Sequence, residues 1–282
     1  MKYLNLGCGK RYIPSWKNID FTAHSEFVSS CDLQNRIPLD DNTFNLVYHS
    51  HVLEHFSQEK AQFFIEECYR VLQPYGVIRV VVPDLEDIAR NYLAILNRID
   101  INLDEFKSDH EWMTIEMLDQ MVRRSSGGEM VRYISKEKLD NKKFIISRMG
   151  SEIAKIIKSS ETHNNINSNY DVKNANRVLK KIYLFLRNSN YRKEILLKLM
   201  LGEEYYKLQI GRFSESGELH QWMYDRVSLA GTLKKVGFVQ MIKRNAYDSY
   251  IPKWSEFNLD TESDGSVYKP QSLYMEAIKP SF

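Results

Sequence analysis

The chain has 282 residues and 33.3 kDa, about twice a common domain, so one large domain or a core carrying a sizeable insert is the expected organisation. Hydrophobic residues make up 43% and charged residues 27%, which excludes a disordered chain, a collagen-like repeat and a simple fibre. The net charge of +2 hides a segregation, because residues 131–213 hold 18 Lys and Arg against 8 Asp and Glu and the remainder holds 21 against 29.

Residues 1 to 84 alternate short β-type runs with turns and one amphipathic helix, the rhythm of a parallel sheet covered by helices. Strands are predicted at Lys2–Leu6, Lys17–Asp20, Phe44–His49 and Val77–Val82, the last apolar on both parities except for Arg79, as in a strand buried on both faces. Between the last two, Ser57 has the chemistry of an N-cap, and Ala61, Phe64, Ile65, Cys68 and Leu72 follow at helical spacing before Pro74 and Gly76. From about Leu85 to Arg212 the pattern is helical, with segments predicted near 85–98, 112–124, 143–158, 174–187 and 191–208 and a polar, Asn-rich loop at 159–174. After residue 217 a helix closed by Gly237 precedes strands Val239–Arg244 and Ser272–Lys279. The expected fold class is α/β, a doubly wound, mostly parallel Rossmann-like sheet interrupted by a large helical insertion. The expected boundaries are a cofactor-binding core at 1–110, a helical insert or lid at 111–215 with its extra segment at about 131–213, and a C-terminal return to the core at 216–282.

The sharpest local signal is YLNLGCGK, a short strand running into Gly7-Cys8-Gly9, where small residues let a ligand approach the backbone. Asp20 ends the next strand, where doubly wound folds place a carboxylate for two ribose hydroxyls. A dinucleotide would favour a third glycine, a helix N-terminus for its pyrophosphate and an acid about 20 residues on. Here Gly9 is followed by KRYIPSWKNID, without a third glycine and with a helix-breaking proline, so a ligand without phosphates suits the loop better.

NLGCG, the acid at Asp20, the tripeptide Cys31-Asp32-Leu33, the strand and turn NLVYHSHVLEHF, and YRVLQPYGVIRVVVPD resemble, in order and spacing, the successive motifs of class I S-adenosylmethionine-dependent methyltransferases. The segment His220-Gln221-Trp222-Met223-Tyr224-Asp225 is similar to the HxWMYD stretch of a small LNLGCG subgroup often linked to glycan or natural-product pathways. The resemblance implies S-adenosylmethionine as cofactor, with Asn5, Gly7, Cys8 and Gly9 beside its methionine part, Asp20 on the ribose, and Asp32 and Leu33 at the adenine edge. It places His49, Ser50 and His51 at the C-terminal end of a central strand, near the sulfonium.

An oxygen or nitrogen acceptor needs a base, and histidine titrates in the right range. His220 is the first candidate, where the chain re-enters the core, followed by Tyr224 and His51. His51-Val52-Leu53-Glu54-His55 also fits the HxxEH pattern of inverted zinc peptidases, but it starts at a strand end, lacks a long helix and shows no third ligand, so no metal is expected.

Three cysteines (Cys8, Cys31, Cys68) without CxxC spacing provide neither a disulfide framework nor a zinc ribbon, and a reducing cytoplasm is the expected setting. No run approaches about 18 apolar residues and MKYLNLGCGK lacks the features of a signal peptide, so no membrane span is expected. There is no NPPY or DPPY segment, no Pro-Cys nucleophile and no nucleic-acid module, which disfavours base methylation. The expected activity is methyl transfer to an oxygen, or second a nitrogen, of a small-molecule, sugar or peptide acceptor of anionic character, with a homodimer through the insert as a further option. The alternatives are a non-catalytic cofactor-binding regulator and an RNA methyltransferase gripping its substrate with the basic insert.

Overall fold

The computed structural model describes residues 1–99, 101–164, 183–185 and 187–281. Strands β1 (Tyr3–Leu6), β2 (Lys17–Asp20), β3 (Val28–Ser30), β4 (Phe44–Ser50), β5 (Leu72–Pro83), β6 (Val239–Arg244) and β7 (Ser272–Ile278) form one sheet in the order β3-β2-β1-β4-β5-β7-β6. The first five strands of that row pair in parallel, whereas β7 lies antiparallel to both β5 and β6. The dinucleotide-binding order 3-2-1-4-5-6 has no such reversed strand, so β7 distinguishes this sheet from it.

Helix α1 (Gln58–Val71) crosses from β4 to β5, capped by Ser57 Oγ, which accepts from the Lys60 N–H. Its buried residues, among them Ala61, Phe64, Ile65 and Cys68, join Leu4, Leu6, Val47, Ile78 and Val80 in the main core. The three-residue β3, with two exposed positions, carries no alternation to read, and β5 extends five residues before the predicted Val77, through an irregular stretch where Tyr75 has a φ of 65° between Pro74 and Gly76.

The helical region begins with α2 (Leu85–Ile99) and α3 (Leu103–Val122), then α4 (Gly128–Ile134), α5 (Lys142–Met149) and α6 (Ser151–Asn164). The predicted 143–158 helix is two helices, broken at Gly150, whose φ of 77° lets it pass the Tyr268 carbonyl where a Cβ would collide. Helix α4 escapes sequence reading because its cap comes from another helix: the Asp119 carboxylate of α3 accepts from the Glu129 N–H at 2.7 Å. The predicted 159–174 loop begins as helix, since α6 reaches Asn164, and the rest of it lies outside the described residues, as does most of 174–187. The predicted 191–208 helix is α7 (Ser189–Leu201) and α8 (Glu204–Ser214), separated at Gly202. Helix α9 (Arg226–Val236) starts in a capping box at Asp225 and ends at Gly237 in the left-handed conformation.

The helical region has a core of its own, built on Ile88, Trp112, Met113, Met130, Ile145 and Ile157. Met113 and Met130 are buried there, so these methionines pack the insert. Arg148 ties three helices together through Glu116 at 2.5 Å and Asp87 at 2.6 Å. No helix among the described residues is long and apolar enough to cross a membrane.

Arg79, the charged position inside β5, is fully buried and bonded to Asp260 at 2.8 Å and Glu276 at 2.9 Å, with the carbonyls of Asp248 and Asn245 taking further donors. Replacing it by methionine would leave buried Asp260 without a counter-charge and Glu276 with Arg244 alone. Arg79→Met is therefore expected to lower stability by about 3–5 kcal/mol, read as a fall in the urea midpoint.

Candidate active site

The loop after β1 is held by its own backbone. Gly7 N–H and Cys8 N–H both point to the Ile19 carbonyl, at 2.8 and 3.4 Å, and Gly9 N–H donates to Asp20 Oδ2 at 2.8 Å. All three loop N–H groups are thus consumed, and none is left to cradle a pyrophosphate. Gly7 (φ 63°) and Gly9 (φ 51°) sit in the left-handed region, and a Cβ on Gly7 would run into Val52 of the β4 turn.

Two cavities meet at this loop, both walled by Gly7 and His51. One, of about 430 Å³, is lined by Asn5, Cys8, Gly9, Arg11, Ser50 and Lys269 among others. The other, of about 460 Å³, holds Asp20, Asp32, Leu33, Val52 and His55. Arg11 stacks on Tyr268 at 3.7 Å and pairs with Glu262 at 2.7 Å, fixing the far wall of the first. A third cavity of about 260 Å³ lies between the sheet edge and the helical region, lined by Ile88, Glu116, Arg123, Met130, Lys269 and Gln271, and by His51 again.

His51 therefore borders all three cavities. It sits in the left-handed region at φ 55°, held by its N–H to the Val81 carbonyl at 2.8 Å, a backbone conformation uncommon for non-glycine residues that Tyr75 and Lys253 share. Its Nε2 lies 3.0 Å from Ser272 Oγ, and its Nδ1 lies 3.2 Å from Glu54 Oε1. A carboxylate only accepts, so Nδ1 carries the proton and Nε2 offers its lone pair. Burial, with Lys269 adding to it, holds the His51 imidazole below its ordinary range and hence neutral. Glu54 is fully buried; burial pushes its pKa up, but contacts with His51, His55 and His220 more than reverse this, to about 2.

The other residues expected from the sequence divide. Asn5, Gly7, Cys8, Gly9, Asp20, Asp32, Leu33, Ser50 and His51 come together on the two loop cavities. His49 does not: strand alternation turns it into the core against Phe64, with a ring separation of 5.0 Å, and burial drives its pKa to about 4. His220 is 3% exposed, packed edge-on against His55, and pushed by burial to about 3. Tyr224 lines a separate groove with Gln58, Trp222 and Lys235, and burial raises its phenol to about 12. Burial and the nearby Asp20 charge lift the Cys8 thiol to about 11.

Lys269, Gln271, Ser272, Glu116, Arg123 and Glu152 enter the site without a local signal, contributed by the helical region and the C-terminal loop. Among the described residues, no Lys or Arg of 131–213 lines the three cavities; their cations come from Lys10, Arg11, Arg123 and Lys269.

Residues 17–80 match the model of the Methyltransferase domain family. No curated protein matches the chain. Among solved structures, similarity is found to a chain of the complex between the Haloferax volcanii Trm112 methyltransferase activator and a methyltransferase (10% identity, 99% of this chain and 83% of that one, TM-score 0.38). A SAM-dependent methyltransferase of Thermotoga maritima (10%, 99% and 82%, TM-score 0.39) and one of Mesorhizobium loti (16%, 31% and 49%, TM-score 0.26) are also similar. By the domain match together with the strand order, the chain is an enzyme of the class I S-adenosylmethionine-dependent methyltransferase type, and S-adenosylmethionine is its cofactor. A glycine loop with no free N–H for phosphate, opening onto two adjoining cavities, fits that phosphate-free, two-ended molecule.

Gly7→Ala places a methyl group against Val52 in a backbone region unfavourable to L-residues. It is expected to cost more than about 1–2 kcal/mol in a denaturant melt. In the double variant with Val52→Ala the steric part is recovered and the backbone part remains.

Proposed function

We propose that the enzyme methylates an oxygen of a small acceptor held in the 260 Å³ cavity, with His51 as the base, and the observation that carries this reading is that His51 lies at the meeting point of all three cavities. In this reading Asn5, Gly7, Cys8, Gly9 and Ser50 hold the methionine part of the cofactor, Asp20 accepts from its ribose hydroxyls, and Asp32 with Leu33 meets the adenine edge. When bound, the cofactor supplies a methyl group already activated by its positive sulfur, so the chain has to align the acceptor, exclude water and take one proton.

The Nε2 lone pair of His51 is directed at Ser272 Oγ. An acceptor hydroxyl either takes the place of Ser272 or passes its proton through it, and Glu54 keeps the imidazole in the tautomer that can receive it. The reading sets His51 ahead of His220 and Tyr224, on the support of the burial of His220 and the separate groove that Tyr224 lines. The cavity is small, below the about 300–1,000 Å³ of drug-sized sites.

The acceptor class follows from charge. Glu116 is neutralised by Arg148, and Glu152 lies 3.9 Å from Lys269. Arg123 has no carboxylate partner among the described residues; it reaches the Glu218 carbonyl, and its Nε is buried without a partner. A small acceptor with a carboxylate or similar anion, as well as the hydroxyl to be methylated, fits that wall.

Hydroxylated small acids and their neutral amides, incubated with the enzyme and S-adenosylmethionine, distinguish the reading through release of the demethylated cofactor. Acids are expected to turn over and amides to do so about tenfold less or worse, with Arg123→Gln abolishing the difference. His51→Asn should lower turnover about 10²–10⁴-fold while calorimetry still detects cofactor binding. Asp20→Asn should instead weaken cofactor binding by about 10–100-fold. Turnover untouched in His51→Asn would remove His51 from the chemistry.

A further inference from the structure

Next to the proposed base lies a group of side chains of which the methyl-transfer reading uses only Glu54, as the brace of His51. One donor atom each from Glu54, His55 and His220 can be chosen so that all lie within 4.8 Å of one another. Glu54 has no solvent exposure and His220 is 3% exposed. Glu54 Oε2 and His220 Nδ1 are buried with no hydrogen-bond partner among the described residues, and Glu54 Oε1 meets only the His51 ring. The ring paired with Glu54 is the neutral His51 imidazole at 3.2 Å, and no Lys or Arg among the described residues reaches ion-pair distance. A buried carboxylate without a counter-charge, facing imidazole nitrogens without partners, is an arrangement that a cation completes.

We propose that Glu54, His55 and His220 bind one divalent transition-metal ion of the zinc class. Two imidazoles and a carboxylate are the donor set of that class rather than of magnesium or calcium, which prefer oxygen alone. The His55 ring is already oriented as a ligand, because its Nδ1 lies 3.3 Å from the Leu219 carbonyl, which can only accept, so Nε2 is left with a lone pair. The scaffold is braced as well. His220 N–H donates to the Gln120 carbonyl at 2.9 Å, and the N–H groups of Gln221 and Trp222 both point to the Glu54 carbonyl, at 2.7 and 3.2 Å. Backbone bonds thus dock the segment returning from the helical region onto the short 3-10 turn Leu53–His55 that carries the other two ligands.

A spacing of up to 4.8 Å is wider than the about 3.4 Å between ligands placed 2.0–2.1 Å from a tetrahedral ion, so binding draws the side chains inward by small rotations. Three protein ligands leave a fourth position. His55 borders the 460 Å³ cavity, so a water molecule entering from that side fills it. The set is not that of the sequence pattern, since His51 stays outside it and Glu54 and His55 are joined by His220, and the bound ion joins the returning segment to the cofactor-side turn.

The test uses the full-length chain, stripped with a chelator, dialysed and titrated with cobalt(II) alone and then with zinc(II). The expected result is one equivalent of cobalt with the visible absorption of a low-coordinate site, displaced by one equivalent of zinc, and a melting temperature raised by zinc and not by magnesium. Glu54→Gln and His220→Ala, each checked for native circular dichroism, should weaken cobalt binding at least about 100-fold, beyond the about 10–100-fold of losing a group that only supports a ligand. Should either variant fail to fold, His55→Ala, at a half-buried position, reads the same loss. Absence of the cobalt spectrum in the parent chain, or a spectrum unchanged in the folded variants, overturns the proposal.

Discussion

The structure depends on one buried charge. Arg79 stands in the middle of β5, where every neighbouring position is apolar, and a guanidinium without solvent must be neutralised and have its N–H groups bonded. The neutralising groups, Asp260 and Glu276, come from the C-terminal stretch, and Asp260 also accepts from Tyr48 and Trp254. Satisfying Arg79 therefore folds the chain after β6 back across the sheet. The same stretch carries Tyr268, Lys269, Gln271 and Ser272 to the cavities, so a stability constraint in the sheet also builds one wall of the active site.

The chemistry at the other wall follows from how the backbone uses its donors. The loop Gly7-Cys8-Gly9 spends its N–H groups on Ile19 and Asp20, which stiffens it and removes the anion-binding character that glycine loops have when their amides point outward. Asp20 thereby acts as a brace for the loop and as a wall of the neighbouring cavity. Backbone held by its own hydrogen bonds on one side and His51 on the other fix the walls of the cavities, which suits a reaction whose main requirement is alignment.

The basic segment shows how charge counted along a chain can mislead about charge in a site. Residues 131–213 carry an excess of ten positive charges, yet among the described residues their Lys and Arg do not line the three cavities. Arg148, one of them, is used inside the helical region to hold Glu116 and Asp87. The cavity cations come from positions that look unremarkable in sequence, because a side chain's access to a cavity depends on which face of its helix or loop is turned inward.

Amino-acid pattern alone was enough for four of the five parallel strands, the crossing helix α1, the glycine loop with Asp20, and a ligand without phosphates, because period, caps and turn chemistry are local and leave their mark within a few residues. It was also enough to mark Arg79 as an exception without saying what would answer it. Helix α4, capped by Asp119 from another helix, and the break at Gly150 against Tyr268 were not legible, since the partner in each case is distant in the chain. The positions of the candidate histidines were not legible for the same reason. His220, His49 and His51 have equivalent chemistry in isolation, and only packing decides that two are enclosed in the protein interior while the third, at a strained strand end, faces the three cavities. Local bonding determines which elements form; which side chains share a space depends on contacts between residues far apart in the chain, and those exist only once it has folded.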